Sequence, residues 1–254
     1  MSNYKLLGVG NNAKTVKGDG SEYLTAILYL APADLALGYV LGGSKLIKLD
    51  FTDKLYCSTA INLCPMAETA GCKTGCLYSA GRGAMNTVQH ARIRKAVMLR
   101  DTPELFFDLL RTDLDKFQKY CQKRDIQPVV RLNGTSDRNW KDVIVDYPAI
   151  QFYDYSKVYN RVKKNWPSNY HLTLSYSEAN NEYRDKVLEY ANNYNTNLAV
   201  VFRDKNRIPD TFLGRPVING DADDLRFLDP EGVVVALYAK GKAKKDSSGF
   251  VIDV

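Results

Sequence analysis

Pro128-Val-Val-Arg-Leu-Asn-Gly-Thr-Ser-Asp137 sets the frame for the whole chain. The apolar run Pro128–Leu132 fits a strand, and it passes at once into a polar, glycine-containing turn. The arrangement returns downstream. Ala149–Tyr153 runs into Asp154-Tyr-Ser-Lys157, Tyr170–Leu174 into Ser175-Tyr-Ser-Glu178, and Asn197–Phe202 into Arg203-Asp-Lys205. Pro216–Ile218 runs into Asn219-Gly-Asp221 and Val233–Tyr238 into Ala239-Lys-Gly-Lys242. Helix-like stretches lie between, at Ser156–Asn165, Glu178–Asn193 and Asp221–Leu228. Ahead of them Pro103–Arg124 keeps a helical apolar spacing, with Thr102 placed as its N-cap and proline at the first helical position. Leu24–Leu30 and Leu46–Tyr56 offer further strands. Strands and helices in alternation require parallel pairing with crossovers. The expected class is α/β, a complete or partial TIM-like parallel barrel. Without a linker or an internal repeat, residues 1–254 read as a single domain, with 1–45 as an N-terminal extension and 46–254 as the barrel.

In a parallel barrel the C-terminal strand ends meet on one face, which holds the active site. Any one of these polar turns fits an ordinary solvated loop; together they point to a site. Asn133, Gly134, Thr135 and Ser136 combine backbone N–H groups and hydroxyls suited to a carboxylate or phosphate. Lys157, Ser177, Glu178, Arg203, Asp221, Lys240 and Lys242 are further binding candidates around the same mouth. Asp137 and Asp154, at adjacent strand ends, are the expected catalytic carboxylates, although Asp137 also suits a helix N-cap. Tyr153 and Tyr155 flank Asp154 and should raise its proton affinity. His171 begins a strand and falls at the opposite end.

Cys64, Cys72 and Cys76 lie within thirteen residues, in the spacing C-x7-C-x3-C. Thiolates so close repel one another unless a soft metal or cluster neutralises them, so zinc and iron–sulfur centres are the expected occupants. A disulfide or redox role and buried free thiols are the other readings. A gap of seven is long for a zinc knuckle, and three ligands leave one coordination position open. Cys57 and His90 are the candidates for a fourth ligand, though Cys57 fits an apolar strand and His90 a helix surface. Cys121 fits helix packing.

Composition narrows the rest. Hydrophobic content of 45% and charged content of 25% are ordinary for a globular domain. No apolar run is long enough to span a membrane, and the first residues lack the apolar core of a signal peptide, so the expected location is cytoplasmic. A net charge of +6 permits a nucleotide or nucleic-acid partner without requiring one. The basic clusters Arg92–Lys95 and Lys240–Lys245 fit solvated faces, and seventeen tyrosines could stack bases. The oligomeric state is not legible.

Several segments carry a family resemblance: Asn11–Gly18, Tyr23–Pro32, Cys64–Cys76 with Ala80-Gly-Arg-Gly83, Val130–Asp137, Gln151–Tyr155, Gly214–Asp221 and Lys240–Lys245. Across nearly its full length the chain resembles a bacteriophage protein family of the "gene product eighty-eight" type, which implies the cytoplasm of an infected bacterium. The layout also resembles radical S-adenosylmethionine enzymes. That likeness implies a [4Fe–4S] cluster on Cys64, Cys72 and Cys76, with S-adenosylmethionine held partly by Asn133–Asp137, although the usual spacing there is C-x3-C-x2-C. A more remote likeness is to tRNA-guanine transglycosylases, which implies base exchange by Asp137 and Asp154 with zinc. The leading expectation is a radical-type iron–sulfur enzyme acting on a nucleotide or nucleic acid. The alternatives are the zinc-bearing base-modifying enzyme and a non-catalytic phage protein that binds nucleic acid or a host protein around a structural metal.

Overall fold

In a computed structural model, residues 5–10, 20, 22–43, 45–49 and 61–254 are described. Cys57, Asn11–Gly18 and the later part of the expected Leu46–Tyr56 strand lie outside them. The strands are β1 (Leu7–Val9), β2 (Tyr23–Leu28), β3 (Tyr39–Gly42), β4 (Lys45–Lys48), β5 (Gln127–Arg131), β6 (Gln151–Ser156), β7 (Tyr170–Ser175), β8 (Leu198–Phe202), β9 (Thr211–Phe212), β10 (Arg215–Asn219), β11 (Val234–Tyr238) and β12 (Val251–Ile252). The α-helices are α1 (Asn86–Asp101), α2 (Pro103–Gln122), α3 (Lys141–Ile144) and α4 (Asn181–Asn193). The expected helices at Ser156–Asn165 and Asp221–Leu228 are short 3-10 turns, at Tyr159–Lys163 and Arg226–Leu228.

Nine strands form the path β1-β2-β5-β6-β7-β8-β11-β10-β9, with β12 added on β8; β3 and β4 make a separate hairpin. From β2 to β10 every pairing along the path is parallel, and β1 and β9 add antiparallel ends. The α/β, parallel part of the expectation therefore holds. Closure does not: among the described residues nothing pairs β1 with β9, so the sheet is open and is not a barrel. The chain order also breaks at the far side, where β10 lies outside β11 rather than returning toward β2. The residues set apart as an N-terminal extension supply β1 and β2, and β2 pairs with β5 from Tyr23 to Ile27 inside the sheet.

Side chains alternate across each strand, and the two faces differ. On one face Ala26, Leu28, Val130, Leu132 and Phe152 pack with α1, α2 and α3. Farther along, Leu174, Leu198, Val200, Phe202, Val234 and Ala236 pack with α4. In α2, Phe106, Leu110, Leu114, Phe117 and Cys121 recur every three or four residues and are buried, which makes one apolar stripe. Burying each large side chain contributes about 1.5–3 kcal/mol, so docking rather than intrinsic propensity holds this helix. Thr102 stands at the N-cap position without capping: its hydroxyl donates back to the Met98 carbonyl at 3.2 Å.

The other face is open at the C-terminal ends of the strands. One edge of β8 is taken by β11 from Leu198 to Phe202. The other edge is shared, with β7 at Leu198 and Ala199 and β12 at Val201 and Phe202. β12 therefore takes over where β7 parts from β8. A crevice where neighbouring strands part at their carboxyl ends is where ligands bind in open α/β sheets.

Candidate functional site

A cavity of about 1340 Å³ opens on this face, and it gathers groups far apart in sequence. Cys64, Cys72 and Cys76 line it from the connection between β2 and α1. Asn133–Asp137 line it after β5, Lys157 after β6, and Asp221 and Lys240 after β10 and β11. Strand residues pointing away from the helices form the floor, among them Ile27, Arg131, Tyr155, Ala199, Val201 and Leu237.

Strand-end loops fix the cysteine loop. The Leu63 carbonyl accepts from the Asp137 N–H at 2.6 Å, and the Cys64 thiol donates to the Thr135 carbonyl at 3.7 Å. Ser177 donates to the Ala70 carbonyl at 2.8 Å and Ser248 to the Gly71 carbonyl at 3.1 Å. Gly71 has φ +67°, and a β-carbon there would come within 2.6 Å of Ala179 Cβ, so only glycine suits the close approach. The Cys76 sulfur accepts from the Tyr78 N–H at 3.5 Å.

Burial pushes the Cys64 thiol up to about 12, and the nearby Cys76, Asp137 and Cys72 push the same way, against a backbone hydrogen bond at Ala33. Burial also raises Cys76, against the Tyr78 N–H and the cations Lys157 and Arg92. Cys64 and Cys76 are therefore neutral thiols near neutral pH, unlike the low-pKa thiolates of redox or nucleophilic cysteines. A bound metal would reverse this, since ligating thiols are deprotonated outright. Burial disfavours the charge on Lys157, but negative charge nearby, first at Cys72 and Asp137, holds its proton affinity above the ordinary value. Its ammonium donates to Ser175 Oγ at 3.1 Å. Among the described residues no three His, Cys, Asp or Glu side chains converge as ligands of one ion; the three thiols share a wall instead. His90 is exposed and does not line the cavity, and Cys121 is buried under α2.

The loop after β5 is shaped from within. Asn133 Oδ1 accepts from Ser136 Oγ, the Arg138 N–H and Trp140 Nε1 at 2.9–3.0 Å. Thr135 Oγ1 donates to the Leu30 carbonyl at 2.6 Å. These side chains hold the loop, so its cavity surface is largely backbone. A β-carbon on Gly134 would lie 2.6 Å from Tyr29 Cδ1 and 2.8 Å from Ile27 Cγ2, so glycine lets the loop settle on β2.

Asp137 caps no helix. It is a buried junction: Oδ1 accepts from Ser156 Oγ at 2.8 Å and from Arg161 Nη1 at 2.5 Å, and Oδ2 from the Lys157 N–H at 2.7 Å. Asp154 lies on the other side of β6 from Tyr153 and Tyr155, outside the cavity, because successive residues of a strand alternate. It is 1% exposed and accepts from the Asn133 N–H at 2.8 Å and from Asn133 Nδ2 at 3.0 Å. The structure therefore does not bring Asp137 and Asp154 together as a reacting pair; Asp154 positions Asn133. Burial raises its carboxyl to about 7, against Arg131 and the Asn133 hydrogen bonds. The folded protein then holds a proton that the unfolded chain releases between about pH 4 and 7. Stability should fall as pH rises through that window. Asp154→Asn should remove this dependence, visible as a wild-type-minus-variant melting difference that changes between pH 4 and 7. A constant difference would show that Asp154 titrates in the folded protein as it does in the unfolded chain.

The remaining expected residues divide. Asp221 and Lys240 both line the cavity and pair at 2.7 Å. Ser177 lies outside it, pinning Ala70. Glu178 lies outside as well, accepting from Tyr176 Oη at 3.0 Å. Arg203 pairs with Asp253 at 2.5 Å and holds the C-terminal loop through the Lys244 and Asp246 carbonyls. Lys242 is exposed and is not a lining residue. Two groups were not expected. Arg131 and Asp224 pair at 3.2 Å on the floor, with Tyr153 Oη donating to Asp224 at 2.8 Å. Arg92 and Lys95, from a cluster that fitted a solvated face, line the wall on α1.

Fold and site together define an open, mostly parallel α/β protein whose strand ends and cysteine loop enclose a cavity with a mainly apolar lining that carries several cations. The chain belongs to the Gene product 88 family, a family of phage proteins, whose profile matches residues 5–254. No curated protein and no solved structure matches it. No helix among the described residues is long and apolar enough to cross a membrane.

Proposed function

We propose that this protein is a phage iron–sulfur enzyme of the radical S-adenosylmethionine type that acts on a nucleotide or nucleic acid. One observation carries the reading: the three-cysteine loop and the backbone-rich Asn133–Asp137 loop face the same cavity, with Lys157 between them. The donor set suits a cluster better than a single zinc. Around zinc, bonds of about 2.3 Å would bring the sulfurs within about 4 Å of each other. An all-thiol set of three, with Lys157 and Arg92 near it, is the donor chemistry of an iron–sulfur centre. Cys64, Cys72 and Cys76 would hold a [4Fe–4S] cluster, which would supply the electron that makes S-adenosylmethionine a radical source.

The other roles fall to the chain. Lys157 would offset negative charge on the sulfurs. The Thr135 and Ser136 N–H groups, in a loop held by Asn133 and Asp154, would offer hydrogen bonds to the cofactor's amino-acid end. Asp137 and Arg161 fix the loop that meets the cysteines. The apolar floor of Ile27, Ala199, Val201 and Leu237 keeps water from a reactive centre. Base exchange by paired aspartates finds less support, because Asp137 is ion-paired with Arg161 and Asp154 faces away.

Protein loaded with iron and sulfide and treated with a low-potential reductant should cleave S-adenosylmethionine to methionine and 5′-deoxyadenosine. Loaded, reduced protein that leaves it intact, with and without nucleotides, would remove the radical reading.

A further inference from the structure

The acids lining the cavity all have cationic partners: Asp137 pairs with Arg161, Asp221 with Lys240 and Asp224 with Arg131. Arg92, on the α1 wall, stands differently. Its Nε and Nη1 are buried and have no hydrogen-bond partner among the described residues. The groups acting on its charge are Tyr29, Tyr78 and Cys76, and no carboxylate is among them. Its guanidinium carbon lies 4.5 Å from the Tyr29 ring centroid and 5.7 Å from that of Tyr78. Two aromatic rings thus hold the guanidinium without neutralising it. Space is kept for it as well, since a β-carbon on Gly83 would stand 3.2 Å from Nη1. Lys95, one helical turn on, lines the same cavity and donates to the Leu6 carbonyl at 2.5 Å.

Two buried guanidinium nitrogens of one cation without hydrogen-bond acceptors among the described residues cost more than an ordinary unsatisfied donor. An oxyanion entering the cavity would relieve that cost, and a phosphate matches the guanidinium fork in shape and charge. The cavity, at about 1340 Å³, has room for a nucleotide. We infer that Arg92, supported by Lys95, is the phosphate subsite of the cavity and holds a phosphate group of a nucleotide or of a nucleic-acid end. This goes beyond the iron–sulfur reading and does not need it, because its test uses protein without iron.

The probes are the four ribonucleoside 5′-monophosphates, their nucleosides, and a short single-stranded oligonucleotide with and without a 5′-phosphate, measured by calorimetry on the full chain. At least one monophosphate should bind about 10- to 100-fold more tightly than its nucleoside, as expected for hydrogen bonds to a charged group. Arg92→Gln should erase that ratio, and Lys242→Gln, at an exposed lysine outside the cavity, should keep it. A preference for the phosphorylated oligonucleotide over every mononucleotide would assign the phosphate to nucleic acid; the reverse would assign it to free nucleotide. If Arg92→Gln does not fold, the wild-type ratio and Lys95→Gln decide. Equal binding of monophosphates and nucleosides, or an unchanged ratio in the folded variant, would overturn the inference.

Discussion

Cys64→Ala, Cys72→Ala and Cys76→Ala are each expected to abolish iron retention while leaving a folded protein. The expectation is all-or-none, because a cluster held by three thiolates does not survive on two. The fold should tolerate the changes: all three residues are only partly buried and line a cavity rather than the main core. The Cys64 contact with Thr135 is long and weak at 3.7 Å. Each substitution should therefore cost on the order of 1 kcal/mol, the usual scale for a point change. Cys121→Ala is the control. That thiol is fully buried in the helix-side core, so it should lower stability and leave iron content unchanged. Iron kept at the wild-type level in all three loop variants would take the cluster away from this loop.

Asp137→Asn is expected to cause the largest loss of stability of any conservative change at the site. The carboxylate is buried against Arg161, and the substitution leaves that guanidinium buried and unpaired. Breaking one side of a buried pair costs about 3–5 kcal/mol. In a chain of this size that lowers the melting temperature by roughly 10 °C. It also frees the hydrogen bonds to Ser156 and to the Lys157 N–H, so two strand-end loops loosen together. Removing both charges, in Asp137→Asn with Arg161→Met, should recover part of the loss. A single-variant melting loss of only a degree or two would mean that water reaches the pair.

The architecture of the site was legible because strand ends announce themselves. An apolar run followed by Asn-Gly-Thr-Ser, or by Asn-Gly-Asp, marks both the strand and the end that carries function. Cys64, Cys72, Cys76, Asn133–Asp137, Lys157, Asp221 and Lys240, all singled out from the sequence, line one cavity. What was not legible was the phase of each strand. β6 is buried on both faces, so its sequence gives no polar alternation to say which side Asp154 takes. The flanking tyrosines read as a shield for Asp154, whereas they point the opposite way, with Tyr155 on the cavity floor. Ser177 and Arg203 fall just past strand ends, as binding residues do. They serve loop-to-loop contacts that depend on Ala70, Gly249 and Asp253, none of them near in sequence. Arg92 and Lys95 were obscured for a similar reason. α1 buries Ile93, Ala96 and Val97 on one side and lines the cavity with the other, so its basic residues look like those of a solvated helix. Barrel closure was the natural extrapolation from parallel order, but the antiparallel ends β1 and β9 leave the sheet open.

The proposed iron–sulfur cluster on Cys64, Cys72 and Cys76 is open to direct measurement. The most direct measurement is the iron and acid-labile sulfide content of wild-type protein purified without oxygen and reconstituted, read together with its visible absorbance. Close to four irons and four sulfides per chain are expected, as in a [4Fe–4S] centre, with a broad band near ~400 nm. Stoichiometric zinc without iron, or no retained metal after reconstitution, would contradict it.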